Sequence, residues 1–232
     1  MQNSKVSFMF QQPMRKASFV KRLNRFSGLI KDVKEIKKVH IPNSGRLNEI
    51  LKKNAICYYL PKKGNKTEGV LHLVKNNSML ISIDSRIPNH LIYSFYSNRK
   101  NSKKFKAVLK EKKFGKSRFD IQIKDHDTDT FVEIKSVSLV KNQIALFPDG
   151  VTERGKKHLR ELISLKEQGM GAKIYFVIQR EDVEYFSSND EVDPEFGELL
   201  REAMKKGVEI KALKCRVNLK EISLHEEIPV IF

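Results

Sequence analysis

The sequence predicts two joined β-rich units, a small OB-like barrel over residues 1–85 and a mixed α/β sheet over residues 86–232. Three observations predict this. Up to residue 84, short apolar strands alternate with Lys, Gly and Asn turns and enclose one short amphipathic stretch, the order of five strands with a helix after the third. Beyond residue 86, helical 3–4 spacing appears between strand-like runs, as in an α/β sheet. Charge is unevenly divided: residues 1–116 hold 27 Lys+Arg against 6 Asp+Glu, whereas residues 117–232 hold 18 against 22.

The elements follow in order. Residues 1–17 read as a tail, either poorly anchored or entering the first strand. Residues 19–30 form a strand pair with Lys21, Arg22 and Arg25 threaded between apolar positions, 31–38 a charged turn, and 39–42 a short strand. In 43–51, Asn43 and Ser44 can cap a short amphipathic helix that puts Leu47, Ile50 and Leu51 on one side. Strands follow at 55–60, 69–74 and 79–84, separated by the basic loop 61–67 and a KNNS turn. Pro88 opens a helix at 88–97, since a first-turn proline loses no helical hydrogen bond. The run 99–116 is strongly basic, with nine cations against Glu111, and contains a strand at 105–109. A hairpin occupies 117–138. Then come a strand at 144–148, a loop at 149–155, a helix at 156–168 ended by Gly169, and a strand at 172–178, continuously apolar as if buried on both faces. A helix at 193–206, a strand at 208–217 and an extended tail at 224–232 complete the chain.

Composition excludes several classes. The chain of 232 residues, 40% hydrophobic, can bury a core, but no apolar run reaches the ~20 residues that span a bilayer. The N-terminal residues lack the apolar stretch of a secretory signal, so a cytoplasmic protein without a membrane partner is expected. Cys57 and Cys215 are isolated in apolar runs and read as reduced core thiols. The six histidines show no zinc spacing, and neither a phosphate-binding glycine loop nor a G-x-S-x-G elbow is present. A net charge of +17 concentrated in the first half points to a polyanion, most commonly nucleic acid: DNA, single-stranded or duplex, or RNA. Lys21, Arg22, Arg25, Arg46, Arg86, Arg118, Arg154 and Lys157 are the candidate phosphate contacts. Oligomeric state is left open.

The chemistry concentrates in the hairpin. Phe119, Ile121 and Ile123 alternate with Arg118, Asp120 and Gln122, and Val132 and Ile134 with Glu133 and Lys135. Folding about the middle of KDHDTD sets Asp120 opposite Lys135 and Gln122 opposite Glu133, all four on one face. Two carboxylates can hold Mg²⁺ or Mn²⁺, with the Ile134 carbonyl as a further oxygen. Lys135 beside them can orient a water or stabilise a phosphoryl transition state. As a bare pattern, Asp…Glu-x-Lys is common, and a solvated hairpin with a cross-strand ion pair is the competing reading. Downstream, Asp149, Glu153, Arg154, Lys156, Lys157 and His158 gather at a helix start. There Glu153 is a further candidate ligand or a partner to orient Lys135, and Gln122, Asn89 and His158 are accessory candidates.

Seven segments in order carry a family resemblance: HIPNSGRLNEIL (40–51), SRIPNHL (85–91), GKSRFD (115–120), VEIKSVSL (132–139), ALFPDGVTERGKKHLREL (145–162), FVIQR (176–180) and DPEF (193–196). Through them the chain resembles the sugar fermentation stimulation protein A family along most of its length. The resemblance implies an N-terminal OB-like domain, a C-terminal domain of the PD-(D/E)xK restriction-endonuclease type, DNA binding with little sequence preference, and an association with maltose metabolism. It puts the nuclease-type site on Asp120, Glu133 and Lys135. One departure is that nuclease first helices often supply another acid, whereas 88–97 has none and Asn89 stands near that place. Three functions are therefore expected to compete: a Mg²⁺-dependent nuclease, a DNA-binding regulator without turnover, and an oligosaccharide-binding module.

Overall fold

The protein is described by a computed structural model over residues 6–62, 64, 66–98 and 105–232. The cations of 99–104, part of the predicted basic run, lie outside the described residues, as do positions 63 and 65 of the loop at 61–67. The elements are β1 (Ser7–Met9), β2 (Arg15–Asn24), β3 (Ser27–Asp32), β4 (Glu35–His40), β5 (Ile56–Pro61), β6 (Gly69–Asn76), β7 (Met79–Ser82) and α1 (Ile87–Ser97). Next come β8 (Phe105–Phe114), β9 (Ser117–Asp125), β10 (Thr130–Val137), β11 (Val140–Lys141), β12 (Ile144–Phe147), α2 (Glu153–Glu167), β13 (Gly171–Ile178), β14 (Tyr185–Ser188), α3 (Pro194–Lys205), β15 (Glu209–Val217) and β16 (Glu221–Ile228).

The first unit is a closed barrel of the OB type. Strands run in the order β4-β3-β2-β5-β6, and a parallel pairing of β4 with β6 through Val39–Gly69 and His40–Val70 shuts it; β7 extends the sheet beyond β6. Closure removes the unpaired edges that an open sheet of this size would expose. Its core holds Phe19, Ile30, Val39, Tyr59, Leu71 and Ile81. Two expectations change here. The charged stretch 31–38 is mostly strand, with a tight turn at Val33–Lys34 between β3 and β4. The segment 43–51 makes turns rather than a helix: Leu47 has φ 53, outside the right-handed region. Leu47 and Ile50 still plug the barrel core, and the carbonyls of Asn43, Gly45 and Arg46 turn towards the Arg22 guanidinium.

The second unit is a seven-stranded mixed sheet, β1-β16-β15-β13-β10-β9-β8, with β10, β13 and β15 parallel at its centre. A small sheet of β11, β12 and β14 stands beside it. One face packs on α2 and α3 through Phe119, Phe131, Leu159, Leu162, Phe176 and Phe196. The other packs on α1 through Leu91, Ile92, Ile121, Val132, Ile134 and Tyr175. In β13, Ile174 and Phe176 face one cluster and Tyr175 and Val177 the other, which is why its sequence is apolar without a break. The extended C-terminal tail is corrected too: Glu221–Ile228 is a strand paired with β15. So is the N-terminal tail, whose Ser7–Met9 pairs with β16 of the second sheet rather than with the barrel.

The two units are pinned together. Ser82 N donates to the Gln179 carbonyl and Ser82 Oγ to Gln179 Oε1, while Gln179 Nε2 donates to the Asp84 carbonyl and to Ser136 Oγ. Gln179 is fully buried, so each of these bonds replaces water that cannot reach it. Leu73 of β6 joins the α1-side core of the second sheet. No helix among the described residues is long and apolar enough to cross a membrane.

Candidate metal and phosphodiester site

The hairpin of β9 and β10 has a different register from the symmetric fold expected. Thr130 pairs with Ile123, Phe131 with Gln122 and Val132 with Ile121. Gln122 is therefore opposite Phe131, not Glu133, and its amide donates to Asp129 Oδ2 at the turn. The turn is asymmetric because the end of β9 continues along β8, with Lys124 pairing to Ala107 and Asp125 to Phe105. The two-residue shift brings Asp120 level with Glu133 rather than with Lys135.

At Asp120 the ladder opens. Backbone pairing with β10 stops at Ile121, and pairing with β8 skips from Lys110–Ile121 to Lys112–Phe119 past Glu111, which has φ 53. Phe119 packs on the α2 side while Ile121 packs on the α1 side, so the alternation breaks at this residue. The Asp120 carboxylate fills the gap: Oδ2 accepts from Ile134 N at 2.8 Å and Oδ1 from Asn89 Nδ2 at 2.7 Å. Burial, and then the neighbouring Glu133 charge, push its pKa up to about 7.

Glu133 is 2% exposed on β10, one of the parallel strands at the centre of the sheet. Burial alone would favour its neutral form, but the Lys135 ammonium at 2.6 Å and His158 Nδ1 against the same Oε1 outweigh it and hold its pKa below the usual carboxylate range. Its second oxygen, Oε2, is buried with no hydrogen-bond partner among the described residues. A buried anionic oxygen left without a donor is costly and calls for a cation or a water. Among the described residues no cluster of three or more His, Cys, Asp or Glu is gathered to cage a metal. Two carboxylates with water and substrate oxygens completing the sphere is the habit of Mg²⁺ and its relatives rather than of structural zinc. The residues thus fit a hard divalent ion held by Asp120 and Glu133.

These groups open into a cleft of about 810 Å³ between barrel and sheet, lined also by Arg25, Phe26, Arg46, Asp149, Glu153 and Arg154. The barrel reaches it through the loop at 43–46. All five N–H donors of Arg22 are spent on the carbonyls of Asn24, Arg25, Asn43, Gly45 and Arg46. Arg22 is therefore a strut of this loop, not a free phosphate contact as expected. Arg46 N in turn donates to Asp149 Oδ2 at 2.7 Å. Gly45 is needed here, because a Cβ would stand 2.3 Å from that oxygen.

The remaining candidates divide. Arg25, Arg46 and Arg154 line the cleft. Arg118, Arg154, Lys157 and His158 line a second, smaller one with Lys116 and Ser117, and Lys157 Nζ donates to the Lys116 carbonyl. Arg86 is chelated by both oxygens of Asp84, and neither it nor Lys21 lines either cleft. Glu153 is exposed and pairs with Lys156 at 2.7 Å; it makes no contact with Lys135, so the orienting role expected for it falls to Glu133. Phe26 and Gln179 escaped the sequence reading. A large aromatic at the tip of a two-residue turn and a polar residue closing the apolar run of β13 were their signals.

Known proteins align with this architecture. Residues 20–83 match the profile described as the N-terminal OB domain of the family, and residues 86–221 match its "Sugar fermentation stimulation protein RE domain". A sugar fermentation stimulation protein homolog of Clostridium perfringens strain 13 is 44% identical over 229 residues, spanning 96% of this chain and 99% of that one. The homolog of Caldanaerobacter subterraneus subsp. tengcongensis is 42% identical over 228 residues, with the same coverage. The solved structure of Pyrococcus furiosus SfsA in complex with Ca²⁺ superposes with a TM-score of 0.90 at 32% identity, over 99% of this chain and 100% of that one. With both domains matched and near full-length relatives above 40% identity, the chain belongs to the sugar fermentation stimulation protein family.

Proposed function

We propose that this chain binds nucleic acid, with DNA as the expected partner, in the cleft between barrel and sheet and hydrolyses phosphodiesters there with the aid of a divalent cation. The observation that carries the reading is the buried Oε2 of Glu133, unpartnered among the described residues, beside Asp120 in a cleft also lined by Arg25, Arg46 and Arg154. Asp120, Glu133 and the Ile134 carbonyl would hold Mg²⁺ or Mn²⁺. Bound there, such an ion lowers the pKa of a water and offsets charge on the phosphate. The Ca²⁺ of the Pyrococcus furiosus complex is an ion of the same oxygen-seeking class.

The protein's own groups do the rest. Lys135 brings a fixed ammonium to the cleft, where negative charge grows on the phosphoryl oxygens. Glu133 holds that ammonium at 2.6 Å, and His158, buried behind it, fixes the carboxylate. Asn89 and the Ile134 amide orient Asp120 while leaving a lone pair on each oxygen. The excess of 27 cations over 6 acids in residues 1–116 supplies a field that draws a polyanion.

A second reading, DNA binding without turnover in a regulator of sugar use, is favoured by one observation: a neutral Asn89 stands where a further acid would complete a two-ion site. Single- and double-stranded DNA and RNA incubated with Mg²⁺, Mn²⁺ or EDTA separate the two. Lys135→Ala and Asp120→Asn should each abolish cation-dependent cleavage with little change in binding. Asp120→Asn is the cleaner variant, because it removes a buried charge instead of stranding one. Binding without cleavage under every condition would leave the regulator reading, and cleavage that survives both substitutions would move the site elsewhere.

A further inference from the structure

Phe26 sits at the tip of the β2–β3 turn, 49% exposed, and lines the same cleft as Asp120, Glu133 and Lys135. Three exposed aromatic residues are described, Phe26, Tyr185 and Phe232; of these Phe26 alone lines that cleft. Exposure at a turn tip is ordinary, but this turn is held from several directions. Phe26 N donates to Asn24 Oδ1 at 2.9 Å. The Phe26 carbonyl accepts from Ile41 N and lies 2.9 Å from His40 Nδ1. The His40 ring stacks beneath the Phe26 ring, with centroids 6.5 Å apart and planes 29° from parallel. Arg25, adjacent in the chain, lines the cleft as well, and its carbonyl is gripped by Arg22. The result is a rigid, half-open aromatic plate next to a cation, facing a cleft of about 810 Å³ that contains a candidate phosphodiester site.

An aromatic plate beside a guanidinium matches one repeating chemical unit, a planar nucleobase next to a phosphate. Inside a duplex the faces of a base are covered by its stacked neighbours; a plate can take a base only where the strand is single or the base is unpaired. We propose that Phe26 is a base-stacking subsite and that the cleft takes single-stranded or locally unpaired nucleic acid, with Arg25 meeting a phosphate flanking the stacked base. This rests on the nucleic-acid reading above and adds the strand form that is bound.

The chain has no tryptophan, so Phe26→Trp introduces a sole tryptophan at the plate, one that can be excited apart from the six tyrosines. With EDTA present to prevent cleavage, this variant is titrated with oligothymidylate, with oligouridylate and with a duplex whose ends are closed by hairpins. Phe26→Ala and the unsubstituted protein are titrated in parallel by anisotropy. The expected result is quenching by the single strands and not by the closed duplex, with Phe26→Ala losing about tenfold or more in single-strand affinity and little in duplex affinity. The strand that reaches half-saturation at the lower concentration, oligothymidylate or oligouridylate, is the better occupant. Silent fluorescence on saturation with single strands, or equal losses on both strand forms, would overturn the stacking role while leaving nucleic-acid binding intact. If the unsubstituted protein binds neither form, both readings fall together.

Discussion

At the scale of single residues, the two hairpin carboxylates have opposite electrostatics. Glu133, the more buried, is kept ionised by Lys135 and His158; Asp120, with no cation bonded to it, has its pKa pushed up to about 7 by burial and by Glu133. A carboxyl whose folded pKa lies above its unfolded value binds its proton more tightly when folded. Stability is then highest below the unfolded pKa, near 4, and falls as pH rises towards about 7, after which the whole cost is present. In EDTA, urea midpoints should drop between about pH 4 and about pH 7, and Asp120→Asn should flatten that part of the profile, recovering at most about 4 kcal/mol at the upper end. A profile unchanged by the substitution would assign the pH dependence to other groups. Sequence showed which residues share the hairpin face, but the pKa order of the pair depends on burial and on His158 arriving from α2, and no alternation of residues encodes that.

At the scale of elements, α2 is what brings His158 to Glu133, and its start combines a local cap with a long-range anchor. Thr152 Oγ1 accepts from Gly155 N at 3.0 Å, and Asp193 Oδ2 accepts from Thr152 N at 2.9 Å. Asp193 Oδ1 also accepts from Phe196 N, capping α3. One buried carboxylate thus serves both helix starts. Asp193→Ala should destabilise the protein by about 2–3 kcal/mol, more than Thr152→Ala at about 1 kcal/mol, in a comparison of urea midpoints; equal effects would mean that the bond to Thr152 contributes nothing. The helix at 193–206 was legible because Asp193, Pro194 and Gly207 punctuate it locally. The earlier start of α2, at Glu153 instead of 156, rests on the local Thr152 cap, whose own amide is anchored by a residue 41 positions away. The hairpin register departs from the symmetric fold for a similar reason: β8, not the turn residues, claims the end of β9.

At the scale of the whole molecule, the cleft exists because two units are locked in one orientation. Gln179 ties Ser82 and Asp84 to Ser136, and Asp149 holds the loop bearing Arg46. Cations of the barrel thereby face carboxylates of the sheet, and a polyanion meeting those cations would release the counterions condensed on its own phosphates. The logarithm of affinity for DNA should fall linearly and steeply with the logarithm of salt concentration, with a slope of about 0.9 per phosphate contacted on a duplex and about 0.7 on a single strand. Arg46→Ala should reduce that slope by about one contact, whereas an affinity indifferent to salt would remove the polyanion reading altogether.

The sequence by itself determined the two-part fold, the helices with local caps, the Asp120, Glu133 and Lys135 set, and the basic character of the first half. Each is written in residues close enough in the chain to share a periodicity, a cap or a turn. Only the tertiary structure decided the register at Asp120, the capture of Arg22 by five carbonyls, the placement of His158, and Phe26 in the same cleft as the carboxylates. Those depend on contacts between segments tens of residues apart, where packing and desolvation, not local pattern, choose the partner.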